Sequence, residues 1–386
     1  MLIEGKKALV LGAGKSGIEA AKFLAARGAV VALHDRKAIE EWSDAARSLT
    51  ETHNTGLLTG QIPSWLLDQI DLVVISPGVP TNTIPARYVD RKDGEVIGEV
   101  ELAYRFLKGR IVGITGSNGK TTTTALIGEL LANAGIKTQV GGNIGTPLLS
   151  LTDTSTDDGW TVVELSSFQL ETIKGFQPNV GICLNVTPNH LDRYDGFNDY
   201  AAAKHRLFMN QTAGDVAILN ADDPVTVDWA AGLKANVVLF SVTRELNEGL
   251  FLRGTELVCR ASGREKVVTT REEIFLRGLH NVENVLAAFA AGLACGASPD
   301  SMRDTVREFK GVEHRIEFVR DINGVKFYND SKATSVDATS KALEALSGGG
   351  GKTVLILGGR GKNAPYAPLI DLIESSVKSL ILIGED

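Results

Sequence analysis

Three times in this chain a short apolar run breaks on a cluster of glycines: KALVLGAGKSG at residues 7–17, IVGITGSNGK at 111–120 and TVLILGGRGK at 353–362. Each reads as a buried strand, a tight turn and the first turn of a helix. A strand that leaves its sheet through a helix returns parallel to itself, so the pattern predicts an α/β fold with mostly parallel sheets. The three units differ too much in sequence to be a solenoid repeat, and each is taken to found its own domain. At 386 residues the chain is long enough for two or three cores.

In the first unit Ile18, Ala21, Leu24 and Ala25 share one helical face, Gly28 ends the helix, and a second strand, AVVALHD, finishes on Asp35. DLVVISPGVP (71–80) is another buried strand running into a rigid turn, and it completes a first domain over 1–97. The strands WTVVELSS, NVGICLNV and DVAILNADD belong to a central domain over 98–312 with a mostly parallel sheet. Near Gly311 the pattern changes to the alternation of GVEHRIEFVRDINGVKFYNDS, which opens a third domain over 313–386; SGGGGK at 347–352 reads as a flexible loop. SLILIGED is a strand and the start of its loop, so a parallel sheet ending there is expected to lack its closing helix, and the third domain reads as incomplete.

Composition removes several classes. Hydrophobic content of 43% with 23% charged residues argues against disorder, and 40 Lys plus Arg against 47 Asp plus Glu, with no basic block, argues against nucleic acid. Cys183, Cys259 and Cys295 lie far apart and form neither a disulfide framework nor a zinc motif. The apolar run before the first glycine loop is too short for a secretory signal, and VLAAFAAGLACGA from Val285 is too short to span a membrane. A cytoplasmic protein with no membrane partner is expected.

Gly12, Gly14 and Gly17 match GxGxxG between strand and helix, and Asp35 follows at the distance where an acid meets a ribose hydroxyl. NAD is one ligand with a pyrophosphate for such a helix N-terminus; a tight turn without ligand, with Asp35 capping the next helix, is the other reading. In TGSNGKTT (115–122), successive backbone N–H groups are able to ring phosphates, with Lys120 on the outer ones and the Thr121 hydroxyl toward Mg²⁺. The loop reads GxxGKT and not the full GxxxxGK[ST], because Ile114 stands where the first glycine would be. A magnesium nucleotide needs hard oxygen ligands, and Glu164 ends a strand on the expected edge, followed by Ser166, Ser167 and Gln169. His190, Asp192 and Lys204 follow another strand end; taken singly, His190 reads first as a hydrogen-bonded structural residue and Lys204 as a helical lysine facing water. Asn281 and Asn284, one helical turn apart, suit a base, a ribose or a helix cap.

Read in order, TGSNGKTTTT, GGNIG, VVELSSFQLE, NVTPNHLDRY, AAAKHRLF, NADDP, HNVENVLAA, EHRIE and YNDSKATS resemble the Mur ligases, ATP-dependent enzymes that add amino acids to the peptidoglycan precursor. The first domain, with GAGKSG, DRK and SPGVP, is most similar to members that join D-glutamate to UDP-N-acetylmuramoyl-L-alanine. The resemblance implies a Rossmann-like N-terminal domain for the UDP substrate, a central P-loop ATPase-like domain, and a Rossmann-like C-terminal domain for the amino acid. It assigns Gly14, Lys15, Ser16, Asp35, Arg36, Ser76, Gly78, Asn143 and Gln169 to the UDP substrate. It assigns Gly116, Ser117, Asn118, Gly119, Lys120, Thr121, Thr122, Asn281, Asn284, Arg315, Asp330 and Lys332 to ATP, and Lys362 to the incoming amino acid. Thr121, Glu164, His190 and a carbamylated Lys204 would hold two Mg²⁺ ions, and Lys120, His190 and Lys204 would serve catalysis. A monomer is expected. Two rivals stay open on residues alone: a nicotinamide-dependent oxidoreductase, which leaves the second loop idle, and a regulatory P-loop NTPase or binding module, which leaves the first domain idle.

Overall fold

A computed structural model describes residues 1–85, 88, 94–143, 145–189, 193–347, 351–359 and 366–384. Its contacts divide into two compact units, one of 1–120, 135–219 and 223–238, the other of 121–134, 220–222 and 239–386.

The first unit holds two parallel sheets. In the N-terminal one, β1 (Lys7–Leu11), β2 (Val30–Asp35), β3 (Gly56–Thr59), β4 (Leu72–Ile75) and β5 (Glu95–Gly98) lie in the order β3-β2-β1-β4-β5. β1 pairs with β2 on one side and β4 on the other, with Leu11 opposite both His34 and Ile75. The strand order therefore reverses at β1/β4, and the crevice that such a reversal opens lies beyond Leu11 and Ile75. Leu9, Leu11, Val73, Ile75 and Val96 form the core with Leu67, Ile70, Ile84 and Tyr88. Helix α1 (Lys15–Ala26) buries Gly17, Ile18, Ala20, Ala21, Phe23 and Leu24 and ends before Gly28, whose φ is +81°. Gly17 is fixed by space, because a Cβ there would stand 1.8 Å from the Gly12 carbonyl oxygen.

The second parallel sheet runs β6 (Arg110–Thr115), β7 (Thr138–Gly142), β8 (Trp160–Glu164), β9 (Val180–Cys183) and β10 (Val216–Asn220), ordered β10-β9-β6-β8-β7. Its inner strands β6, β8 and β9 are almost wholly buried and mostly apolar, as cover on both faces requires. β6 sits between β8 and β9, with Ile114 opposite Glu164 and Thr115 opposite Cys183. Three carboxyl ends thus converge on the loop after Thr115.

Two buried carboxylates at the start of helix α2 (Glu99–Tyr104) tie this unit together. Glu101 accepts the backbone N–H groups of Lys174, Gly175 and Phe176 at 2.9–3.1 Å and pairs with Arg105. Glu99, 2% exposed, accepts the N–H of Leu149 at 2.9 Å. Burial pushes the Glu99 carboxyl up to about 7, against the pull of the Leu149 and Leu148 N–H groups, and Glu19 adds to the rise. A carboxyl raised in the fold keeps its proton where the unfolded chain has lost it, so stability falls as pH climbs from about 4.5 to about 7. E99Q keeps an acceptor for Leu149 but cannot ionise. We expect it to match the wild type near pH 4.5 and to exceed it at pH 8 by up to about 3 kcal/mol, at 1.36 kcal/mol per pH unit, in urea unfolding.

The second unit is more mixed. β11 (Asn236–Ser241) begins in the first unit and ends in the second, where β12 (Gly249–Arg253) pairs with it in parallel and β12, β13 (Glu256–Ala261) and β14 (Arg264–Thr270) form an antiparallel meander. Helix α3 (Lys120–Asn133) enters this unit at Thr121, α4 (Leu279–Cys295) is buried along most of its length, and α5 (Pro299–Glu308) is capped by Ser298. A hairpin of β15 (Glu317–Ile322) and β16 (Val325–Asn329) follows, then α6 (Val336–Ser347) and the parallel pair β17 (Thr353–Gly359) and β18 (Val377–Gly384). The alternation after Gly311 marks the hairpin. The 348–350 part of the expected SGGGGK loop lies outside the described residues.

Candidate functional site

The first crevice is built from the ends of β1, β2 and β4. Asp35 accepts the N–H of Ala13 at 2.9 Å and that of Lys37 at 3.1 Å. Its partial burial opposes ionisation, but the Ala13, Lys37 and Arg36 N–H groups outweigh this and hold the carboxyl below its usual range. The acid therefore buttresses the glycine loop and caps no helix. Ser76 Oγ reaches the Gly12 carbonyl at 3.4 Å, which seats the SPG turn against that loop. Gly14, Lys15, Arg36 and Gly78 are exposed on this edge and Ser16 is half-buried. Lys15 Nζ donates to the Gly145 carbonyl at 2.5 Å, bringing GGNIG to the same crevice.

The second loop leaves β6 through Gly116, at φ +152°, and turns again at Gly119, at φ +82°. Asn185, just past β9, holds it twice: its carbonyl accepts the Ser117 N–H at 2.9 Å and its Oδ1 that of Asn118 at 2.8 Å. Ser117 Oγ donates to the Thr187 carbonyl at 3.0 Å and lies 3.0 Å from the Tyr200 hydroxyl. Lys120 folds back so that Nζ donates to the carbonyls of Gly116 (2.8 Å) and Ser117 (3.0 Å). Lys204, 1% exposed, sends its own Nζ to the same Gly116 carbonyl at 2.8 Å and stands 4.6 Å from the centre of the Tyr200 ring. Burial, and then the nearby charge of Lys120, push the Lys204 amine well below its usual range. Two amines on one carbonyl oxygen make a place where an incoming anion is favoured.

Glu164 ends β8 at 2% exposure. Oε1 accepts from Asn143 Nδ2 at 3.0 Å, and Oε2 is buried with no hydrogen-bond partner among the described residues. A buried carboxylate oxygen left unpaired is costly, and a cation would relieve it. Among the described residues no three His, Cys, Asp or Glu side chains form a ready cage for a metal. Gln169 is a local brace: its side chain accepts the Ser166 N–H at 3.0 Å in a capping box that starts a short helix.

In the second unit, Thr121 Oγ1 accepts from Arg315 Nη2 at 3.2 Å, while Arg315 Nε is buried without a partner among the described residues. Arg315 stands between two left-handed non-glycine residues, His314 at φ +67° and Ile316 at φ +46°, a strained turn that aims it at the start of α3. Asp330 accepts the Ile316 N–H at 3.1 Å, and burial raises its carboxyl. Thr123 donates to Asn284 Oδ1 at 3.2 Å, and Asn284 donates to Asn281 at 3.1 Å, so the asparagines form a buried chain. Thr122 is buried, and the Lys332 backbone N–H reaches the His314 carbonyl at 3.3 Å. His190, Asp192 and Lys362 lie outside the described residues. Sequence reasoning did not single out Asn185 or Tyr200. Asn185 is the next-to-last residue of the quoted NVGICLNV, where a polar residue near a strand end was the signal; Tyr200 gave none.

A parallel sheet whose central strand turns through glycines into a helix, with a lysine on the turn and a buried acid at the next strand's end, is the frame of a P-loop-type nucleotide-binding α/β protein. Comparison with known proteins narrows this. Family models match end to end: Mur ligase MurD-like N-terminal domain over 6–98, Mur ligase middle domain over 114–292, and Mur ligase glutamate ligase domain over 314–386. The UDP-N-acetylmuramoylalanine--D-glutamate ligase of Solibacter usitatus is 49% identical over 100% of this chain and 84% of its own length. That of Acidobacterium capsulatum is 48% identical over 100% and 83%. MurF from Acinetobacter baumannii superposes with a TM-score of 0.61 at 18% identity, covering 99% of this chain and 78% of the other, a likeness of fold. The chain belongs to the Mur ligase family, with its N-terminal, middle and C-terminal domain architecture.

Proposed function

We propose that this chain is an ATP-dependent, ADP-forming ligase that joins D-glutamate to UDP-N-acetylmuramoyl-L-alanine in peptidoglycan precursor synthesis. The observation that carries the reading is 49% identity along the whole chain to a relative named for that reaction. The domains run 1–97 for the UDP substrate, 98–312 for ATP and 313–386 for the amino acid. No described helix is long and apolar enough to cross a membrane. Three free cysteines suit a reducing compartment, and we propose a cytoplasmic enzyme that acts as a monomer.

In the proposed reaction a carboxylate oxygen of the UDP substrate attacks the γ-phosphorus of ATP, and the bond to ADP breaks. The amine of D-glutamate then attacks the acyl carbon and loses a proton, and the carbon–oxygen bond to phosphate breaks. The first step brings anions together, so the chain's task is to neutralise charge. Gly116, Ser117, Asn118 and Gly119 present backbone N–H groups, Lys120 shifts from loop carbonyls to phosphate oxygens, and Thr121 and Thr122 continue the cradle. Asn281, Asn284, Arg315, Asp330 and Lys332 also serve the nucleotide. Gly14, Lys15, Ser16, Asp35, Arg36, Ser76 and Gly78 take the UDP end, Asn143 and Gln169 the sugar-peptide end, and Lys362 the amino acid. Mg²⁺, when bound by Thr121 and Glu164 and by His190 with Lys204, spreads the phosphate charge.

Lys204 suits carbamylation because a buried amine pushed toward its neutral form is a nucleophile for CO₂: nitrogen attacks carbon, a proton leaves, and a cation becomes an anionic oxygen ligand. Incubation with ATP, UDP-N-acetylmuramoyl-L-alanine and a panel of amino acids tests the function. A product heavier by one glutamate residue, formed with D-glutamate and not with L-alanine, L-lysine or diaminopimelate, is expected; a product with another amino acid would reassign the substrate.

A further inference from the structure

One guanidinium in the first unit is built in with care and has no part in the account above. Arg193 stacks over Phe168, 4.3 Å from the ring centre, and its Nη2 meets Glu171 Oε2 at 3.4 Å. Glu171 is held in turn by the Tyr194 hydroxyl, which donates to Oε1 at 2.7 Å, and Tyr194 stacks on the same Phe168. From this seat Arg193 Nη1 donates to the Pro77 carbonyl at 3.2 Å and Nη2 to the Val79 carbonyl at 3.4 Å. The side chain is 17% exposed.

Both carbonyls belong to the SPGVP turn that leaves β4. The opposite flank of that turn is fixed to the first glycine loop by Ser76 and Gly12, where a Cβ on Gly12 would stand 3.0 Å from Ser76 Cβ and from Val79 Cγ2. The turn is therefore held between the glycine loop and Arg193. Phe168 and Glu171, the residues that seat Arg193, lie on the segment that leaves β8 just after Glu164. One planar cation thus ties the carboxyl end of β4 in the first sheet to the carboxyl end of β8 in the second. A fork with two donors and a flat face does this; a lysine has neither the span nor the plane.

We propose that Arg193 is a positioning residue for the ligase reaction: it holds the 76–79 turn in register with the strand end that bears Glu164, so that a UDP-linked carboxylate seated at the first crevice is presented to the loop that carries Lys120. The inference rests on the function proposed above. Misplacing a reacting group by about 1 Å costs up to about 10²-fold in rate, so loss of this register acts on the UDP substrate and on turnover, and leaves ATP aside.

The test is steady-state kinetics on the wild type, R193A, R193K and E171Q, with UDP-N-acetylmuramoyl-L-alanine and MgATP varied in turn. For R193A we expect KM for the UDP substrate to rise about tenfold and kcat to fall about tenfold, with KM for MgATP within about twofold. R193K recovers only part of the loss, and E171Q, which keeps both carbonyl bonds, stays near wild type. A UDP-substrate KM unchanged in R193A and R193K overturns the inference, as does an equal rise in both KM values, which marks a general structural role. R193A-like losses in E171Q also overturn it, by moving the effect to the ion pair. If R193A does not fold, R193K and E171Q decide by the same criteria. Wild type that turns over neither substrate overturns the functional reading, and this inference with it; active wild type with an unaffected R193A overturns the inference alone.

Discussion

Lys120→Ala is expected to lower kcat by about 10²–10³-fold or more, while affinity for the UDP substrate stays within about twofold. The amine sits on the Gly116 and Ser117 carbonyls, where it needs only to swing to a phosphate oxygen. Its charge is wanted most when an attacking carboxylate and a phosphoryl group share one small space, so its loss falls on the transition state. The first crevice is built around the first glycine loop from Gly12, Asp35 and Ser76, and not around the loop that carries Lys120, which is why UDP-substrate affinity is spared. A second effect follows from the shared carbonyl. Lys120 is, after burial, the main cause that lowers the Lys204 amine, so K120A moves the Lys204 pKa back up. Initial-rate kinetics and titration calorimetry with each substrate measure the first effect; unchanged kcat would remove Lys120 from the chemistry.

Glu164→Gln is expected to separate stability from activity. One carboxylate oxygen is bonded to Asn143 and the other is buried with no partner among the described residues, a penalty the fold bears for the sake of a ligand. Replacing the charge by an amide should raise the stability of the ligand-free protein by about 1 kcal/mol and lower kcat by about 10²–10³-fold. Thermal unfolding with and without Mg²⁺ and ADP gives a readout independent of turnover. Wild type gains stability from the pair, by linkage, and E164Q gains little. Equal stabilisation of the two proteins would mean that Glu164 holds no metal.

Much of this site is written in local sequence, because a glycine loop between strand and helix is local geometry. GAGKSG, TGSNGKTT and the acid closing TVVE could be placed at strand ends from their neighbours alone, and the structure sets them there. The partners across the sheet could not. Asn185 is separated from Ser117 by 68 positions and meets it only because β9 lies beside β6, and Arg193 reaches Pro77 across 116. Lys204 looked like any helical lysine, because nothing in AAAKHRLF tells that its face of the helix is the buried one. The antiparallel meander from Gly249 to Thr270 went unremarked although its turns are marked, by Arg-Gly-Thr at Gly254 and Ser-Gly at Gly263, both with positive φ. Asp35 shows the limit of motif reading: its spacing suited a ribose contact or a helix cap, and its carboxylate in fact also braces the Ala13 amide of its own loop.

The central claim is that the loop carrying Lys120 lets a carboxylate oxygen take the γ-phosphoryl group of ATP. Turnover of UDP-N-acetylmuramoyl-L-alanine labelled with ¹⁸O in the carboxylate of its L-alanine residue, with unlabelled ATP and D-glutamate, measures this in the mass of the phosphate released. Transfer of one ¹⁸O atom from the carboxylate to each phosphate is the result this account predicts. Phosphate that carries no label while the amide product accumulates would contradict it.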